Sequence, residues 1–338
     1  MSPFRYFEHP CLSPRTPRSQ YYKSLPGLHM VTTWLVTADS DLMNLIAKKY
    51  VNARSARLGK AQFRLLTHNF LLRWEHLPDT IGEPSERFWT YQLRSMFRPR
   101  SRDRGEGWKS LPKMRFSPLD ISYTDHDFNI LSGCTFWLNT MGFNPEYRDD
   151  VDTVGVGSGD ILCPYLTVEF VEHITHGQGA ERRKTYGQRV AKRKLAIAGA
   201  RALYNRWDLH DRRLQAESKS WSPSHWRHLR HYGLAIEQDE YEIWCISPEQ
   251  AAWSGSAWTG CTMQLLRTDD FKKRIHVQHF CDWLIEIHRW GLTEHASRCE
   301  QDIKVLLRLG RWKVEASDIG ESVSEVSAYE MHASSMDM

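Results

Sequence analysis

The sequence predicts an α/β sandwich built around one mixed central sheet flanked by helices. Three observations point there. Apolar residues recur at spacings of three and four in the first third, the mark of helices buried on one side. A segment rich in Val, Ile, Leu and Thr, Val151 to Phe170, then reads as strand. A long helical segment follows it directly, and further strand patterns and two closing helices come after.

In chain order, Asp39 to Lys49 reads as a helix with Asp39 or Ser40 as its cap. Residues 60 to 76 carry Phe63, Leu66, Phe70 and Trp74 on one helical stripe. Pro84-Ser85-Glu86 opens a short helix through Phe97, and residues 98 to 113 form a basic loop. Asp125 to Met141 reads as a helix ended by Gly142. Val151 to Phe170 reads as two short strands joined by a tight connection around Cys163-Pro164. Residues 181 to 207 form a long helix. Leu234–Glu237 and Tyr241–Ser247 flank Gln238-Asp239 as a hairpin. Trp258 to Arg267 is a further strand, and helices over 271–289 and 296–309 are separated by Gly291. The proline-rich residues 1–28 read as a poorly ordered arm, and the Ser- and Glu-rich residues 313–338 as a disordered tail. Residues 29–312 are expected to form a single domain with a helical N-terminal extension.

Composition bounds the function. A hydrophobic share of 41% with 14 Trp supplies a large core and excludes global disorder. No apolar run approaches the roughly 18 residues of a membrane span. The N-terminal Met1 to Tyr6 lacks a signal-peptide stretch, which places the protein inside the cell, in cytoplasm or nucleus, and not among secreted proteins. The cysteines, including Cys163, Cys281 and Cys299, form no CxxC pair and are odd in number, so they read as buried reduced thiols. Net charge is only +4, but Arg and Lys dominate from Arg182 to Arg213. That block either attracts phosphates or forms a solvated helix face, and Arg189, Lys192, Arg193 and Arg201 are its candidate nucleic-acid contacts.

Candidate chemistry centres on Asp160 and Glu169. If the chain reverses near Pro164, strand alternation can aim both carboxylates to one face. Two such carboxylates make a hard-oxygen site for Mg²⁺ or Mn²⁺, which would polarise a phosphate and lower the pKa of bound water. Surface carboxylates at this spacing are also common. Glu169, however, is the only charge in Leu166-Thr167-Val168-Glu169-Phe170-Val171, so it is either functional or held in a buried ion pair. On the long helix, at 100° per residue, Lys194 falls in the apolar sector with Ala191, Leu195, Ala198 and Ala202, and Arg201 shares that sector. Lys194 then either reaches the sheet or snorkels to water.

These residues bring a resemblance into view. Asp160 followed by Pro164-Tyr165-Leu166-Thr167-Val168-Glu169-Phe170, then Ala202-Leu203-Tyr204-Asn205-Arg206, resembles PD-(D/E)XK nuclease-like proteins, in particular a group abundant in filamentous fungi. Gly155 to Asp160, Tyr241 to Cys245 and Asp282 to Leu292 resemble the same group, so the likeness spans roughly residues 110 to 305. It implies a restriction-endonuclease-like core, Asp160 and Glu169 as ligands of Mg²⁺ or Mn²⁺, and DNA or RNA as partner. It also implies a Lys two residues after the Glu to position the attacking water. Val171 stands at that position and can neither donate a hydrogen bond nor carry charge. Some proteins of the superfamily place this Lys on the neighbouring helix, which makes Lys194 the candidate replacement. An early-helix Glu of the superfamily has its counterpart in Glu86.

Other clusters carry less. His225, His228 and His231 read better as loop residues than as metal ligands, and Cys281 with His288 or His295 with Cys299 makes no complete tetrahedral set. Three readings therefore stand together: a Mg²⁺-dependent nuclease, a catalytically inactive nucleic-acid- or protein-binding relative, and a structural module in which the acids and Lys194 form a buried ion network.

Overall fold

The structure is a computed structural model that describes residues 40–72, 89–92, 115–117, 133–139, 150–151, 154, 157–158, 161–171, 180–249 and 258–309. The expected arm and tail lie outside the described residues. An eight-stranded mixed sheet forms the centre. Its strands are β1 (Trp89–Gln92), β2 (Arg115–Ser117), β3 (Cys134–Asn139), β4 (Gly157–Ser158), β5 (Ile161–Phe170), β6 (His231–Glu237), β7 (Glu240–Pro248) and β8 (Gly260–Asp270). They run in the order β1-β3-β5-β6-β7-β8-β2, with β4 pairing β5 off that path. β5 pairs β6 in parallel, as β2 does β8, and the other pairs are antiparallel. The helices are α1 (Ser40–Ser55), α2 (Lys60–Phe70), α3 (Ala180–Ala216), α4 (Pro223–Arg227), α5 (Arg274–Trp290) and α6 (Ala296–Leu309), with a π-helical turn over Gly291–His295 between the last two.

The sheet is covered on both sides, and strand alternation decides which residue meets which layer. On one face, Leu166, Val168, Leu234, Ile236 and Ile243 join a core with Met43 and Tyr50 of α1 and Phe280 and Ile287 of α5. On the other, Ala235, Trp244 and Ile246 meet Leu195, Ala196, Ala200 and Leu203 of α3. A parallel β5/β6 pair needs a crossover, and α3 with α4 supplies it. The small residues of α3 set its distance from the sheet. A Cβ on Gly199 would lie 2.8 Å from Cδ1 of Ile246, so even alanine is crowded there.

The hairpin and the closing helices form where the sequence places them, with Gln238 in the left-handed region (φ 54°) at the β6–β7 turn. Two expected helices are strands instead. Residues 89–92, within the expected helix 84–97, form β1, and residues 134–139, within the expected helix 125–141, form β3. For β3 the reason is burial on two sides. Cys134 to Leu138 are all between 0% and 6% exposed, and a continuous apolar run carries no period that separates strand from helix.

The expected connection at Cys163-Pro164 is also corrected. β4 and β5 form the hairpin, and because Ser158 pairs Ile161 the chain reverses between those two residues. Cys163-Pro164 lies inside β5 as a bulge. On β3, Phe136 and Leu138 are two apart, yet their partners Leu166 and Leu162 are four apart. The extra residues lift Pro164, which has no N–H to give, out of the ladder. Cys163 takes φ 42° there. Two buried histidines satisfy the displaced carbonyls: His231 Nδ1 donates to Pro164 O at 3.3 Å, and His295 Nε2 to Cys163 O at 3.1 Å.

The same bulge turns Tyr165 toward the π-helical turn. Its hydroxyl bonds His288 Nδ1 at 2.9 Å, and a Cβ on Gly291 would lie 2.6 Å from its ring. Gly291 has ordinary helical angles (φ −60°, ψ −43°), so space and not conformation requires glycine. Gly291→Ala is expected to cost about 1–3 kcal/mol through overpacking. Chemical denaturation of wild type and variant checks this, and equal midpoints would contradict the contact.

Candidate functional site

Glu169 sits on β5 with its side chain 2% exposed, facing α3. Across the interface Lys194 of α3 brings Nζ to 3.9 Å from Glu169 Oε2, with a third of its side chain still in solvent. The helical wheel therefore aims Lys194 at the sheet while its head stays hydrated. Ala191 and Ala198, within one turn of Lys194 on α3, are buried. Asp160 and Glu86 lie outside the described residues.

Strand register builds the rest of the site. Glu169 pairs Ala235, Ala235 pairs Glu242, and Glu242 pairs Thr268, so one row crosses four strands on the α3 face. Two residues further along, Val171 and Glu237 share that face. Val171, Ala235, Glu237, Glu242, Gln188 and Lys192 line a cleft of about 110 Å³ beside Glu169. Gln188 donates to Glu237 at 2.7 Å. Lys192 Nζ lies 3.0 Å from Glu242 Oε1 and over the Trp244 ring, while Trp244 Nε1 donates to Glu242 Oε2 at 3.0 Å. The site is thus a carboxylate row interleaved with amines from α3.

Glu169, Glu237 and Glu242 share one face, with Ala235 between Glu169 and Glu242, but these three carboxylates are not grouped closely enough to share one metal ion. Val171 contributes an apolar wall to the cleft.

The expected phosphate contacts divide. Arg189 and Arg193 are exposed, four residues apart on the outer side of α3. Lys192 is committed to Glu242. Arg201 is only 2% exposed, and burial lowers its pKa to about 10, so it is removed as a backbone contact. The His225, His228 and His231 rings go separate ways. His225 accepts from Ser222 N, His228 bonds Arg298, and His231 bonds Pro164 O and Thr167. Cys281 meets Met43, and His288 meets Tyr165, so that pair is not a metal set either.

Sequence reasoning missed Glu237, Glu242 and Gln188. The signal was present in the hairpin: once its register is fixed, Glu242 must lie across from Ala235 and in the row of Glu169. It also missed a second polar centre, in which Asp302 of α6 receives Arg206, His210 and Arg213 of α3. Among the described residues, Asp269, Asp270 and His276 are grouped closely enough to share a metal ion. His276 Nδ1 lies 2.7 Å from one Asp269 oxygen, and Arg267 occupies the other at 2.9 Å.

No protein-family model, no curated protein and no solved structure matches the chain. Among the described residues, no helix is long and apolar enough to cross a membrane.

Proposed function

We propose that the chain is a divalent-cation-dependent phosphodiesterase of the PD-(D/E)XK type, acting on DNA or RNA, in which Lys194 supplies the amine that Val171 does not. The observation that carries this reading is the approach of Lys194 to within 3.9 Å of the buried Glu169 across the α3–β5 interface. The β5–α3–β6 crossover supports it, because it sets a helix bearing cations over a strand bearing the acid. Asp160 and Glu169 would hold Mg²⁺ or Mn²⁺, and a bound cation would polarise the phosphate and acidify its water. Glu169 then contributes charge from a site shielded from solvent. Lys194 keeps its ammonium at the edge of that site, where it can hold a water or a phosphate oxygen. Exposed Arg189 and Arg193 lie on the same helix and can meet the nucleic-acid backbone.

A second reading, an inactive binding relative, is favoured by one feature. Val171 walls the cleft, and Lys192 already neutralises Glu242.

The test is cleavage of single- and double-stranded DNA and RNA with Mg²⁺ or Mn²⁺, together with calorimetric titration of the metal. Lys194→Ala is expected to lower the rate by about 10²–10⁴-fold, the usual worth of a positioned proton-transfer group, and Glu169→Gln to abolish metal binding. Equal cleavage by wild type and Lys194→Ala would remove Lys194 from the reaction. Metal binding without cleavage selects the inactive relative, and the absence of metal binding overturns the metal site itself.

A further inference from the structure

Between α3, α4, the π-helical turn and α6 lies a cavity of about 10 Å³, room for one water or one monatomic ion. Arg206, His210, His225, His228, His295 and Arg298 line it, and among the described residues no carboxylate does. His210 is 9% exposed. Its Nδ1 lies 3.0 Å from Asp302, while Nε2, on the far edge of the ring, is buried without a hydrogen-bond partner. Arg298 donates to His228 Nε2 at 2.9 Å, which puts the His228 proton on Nδ1. His225 Nδ1 accepts from Ser222 N, which puts its own proton on Nε2. The lining is thus made of N–H donors.

We propose that this cavity is a binding site for a monatomic anion, chloride, held by Arg206, Arg298 and His210. Charge selects the sign of the ligand. The buried Asp302 carboxylate is divided among Arg206, Arg213 and His210. Arg213 also pairs Glu217 at the outer edge, so Arg206 and Arg298 are the guanidiniums that face the cavity. They crowd each other. Burial, then the Arg206 charge, pulls Arg298 below its usual range, and burial, then Arg298, lowers His228 to about 4. Glu294 and Asp302 act the other way on Arg298, but neither lines the cavity.

A cation fits poorly in such surroundings, and among the described residues these histidines are not grouped closely enough to share a metal ion. Size selects the class of anion, because a space for one atom does not take the four oxygens of a phosphate. A water would fill the volume but leave the repulsion between Arg206 and Arg298 as it is, whereas a halide offsets it. In the bound state His210 carries both ring protons, one given to Asp302 and the other to the anion. The ion would tie α3 to α4 and α6, and the site stands apart from Glu169 and Lys194.

The experiment follows urea unfolding of the full chain while sodium chloride replaces sodium gluconate at a constant ionic strength of about 0.15 M, so that screening does not change. The wild-type midpoint is expected to rise with chloride at an unchanged denaturant slope, as for a ligand that binds the folded chain alone. Arg298→Gln should lose the rise. Arg227→Gln, which removes an exposed positive side chain of α4 outside the lining, should keep it. Crystals of the wild type grown in sodium bromide are expected to show an anomalous peak between Arg298 and His210, a readout that does not depend on how a variant folds. A wild-type midpoint indifferent to chloride, an equal rise in Arg298→Gln, its loss in Arg227→Gln, or a water without anomalous signal in the cavity would overturn the proposal.

Discussion

Asp302→Ala is expected to destabilise the protein by about 3–5 kcal/mol, the cost of breaking a buried ion pair from one side. Asp302 is 0% exposed and takes Arg206 Nη1 at 2.5 Å, Arg213 Nη1 at 2.9 Å and His210 Nδ1 at 3.0 Å. Burial alone would raise its pKa, but the Arg206 charge, then His210 and Arg213, hold the carboxyl well below the usual carboxylate range. With the carboxylate gone, the buried Arg206 and the partly buried Arg213 face each other without an anion between them. The pairs join α3 to α6, so the loss spreads across both helices. The depressed pKa fixes the sign of the pH effect. This contribution is complete above the unfolded carboxylate value near 3.9 and is lost as pH falls through the still lower folded value. Urea unfolding at pH 7 measures the effect, and a loss under about 1 kcal/mol would show that solvent replaces the pairs.

Between pH 7 and pH 5 two fully buried histidines are expected to cost the protein about 4 kcal/mol of stability, before most carboxylates titrate. The partly buried His68 and His228, lowered to about 4, act in the same direction. Burial lowers His231 to about 3, against an opposing bond to Pro164 O, and lowers His288 to about 3 as well. Unfolded, each protonates near 6.5, so below that pH the unfolded chain binds protons that the folded one refuses. Stability is full above about 6.5 and falls by roughly 1.4 kcal/mol per pH unit for each histidine until the folded value is reached. Both rings have structural posts: His231 bridges Pro164 O and Thr167, and His288 bonds the Tyr165 hydroxyl. Urea midpoints at pH 7, 6 and 5 give the slope. His231→Gln should flatten it by about 1.4 kcal/mol per pH unit while lowering stability at pH 7. A flat profile from pH 7 to 5 would show that these rings accept protons in the folded state.

Much of the site was legible because it depends on local period. Lys194 lies at the edge of the buried stripe of Ala191, Leu195 and Ala198, and the wheel places it where its amine comes within 3.9 Å of Glu169 while a third of the side chain stays in solvent. Glu169 was conspicuous as a lone charge in an apolar strand. What failed was whatever needed a partner to define it. β3 is apolar on both faces, so its sequence has no alternation to separate strand from helix. Pro164 looked like a turn because a proline has no donor for a ladder, and only the opposing β3 shows that two extra residues are absorbed there. Arg201 looked like a phosphate contact from its charge, and burial in the α3 interface rules that out.

By itself the sequence determined the α/β layering, the long helix after the acidic strand, the β6–β7 hairpin and the inward turn of Lys194. Each follows from spacing along one segment, where backbone geometry alone orients the side chains. Tertiary structure decided the bulge at Cys163, the carboxylate row of Glu169 and Glu242, and the Asp302 network. Those contacts join residues distant in the chain, and strand register and helix docking, which bring them together, are set by packing of the whole sheet.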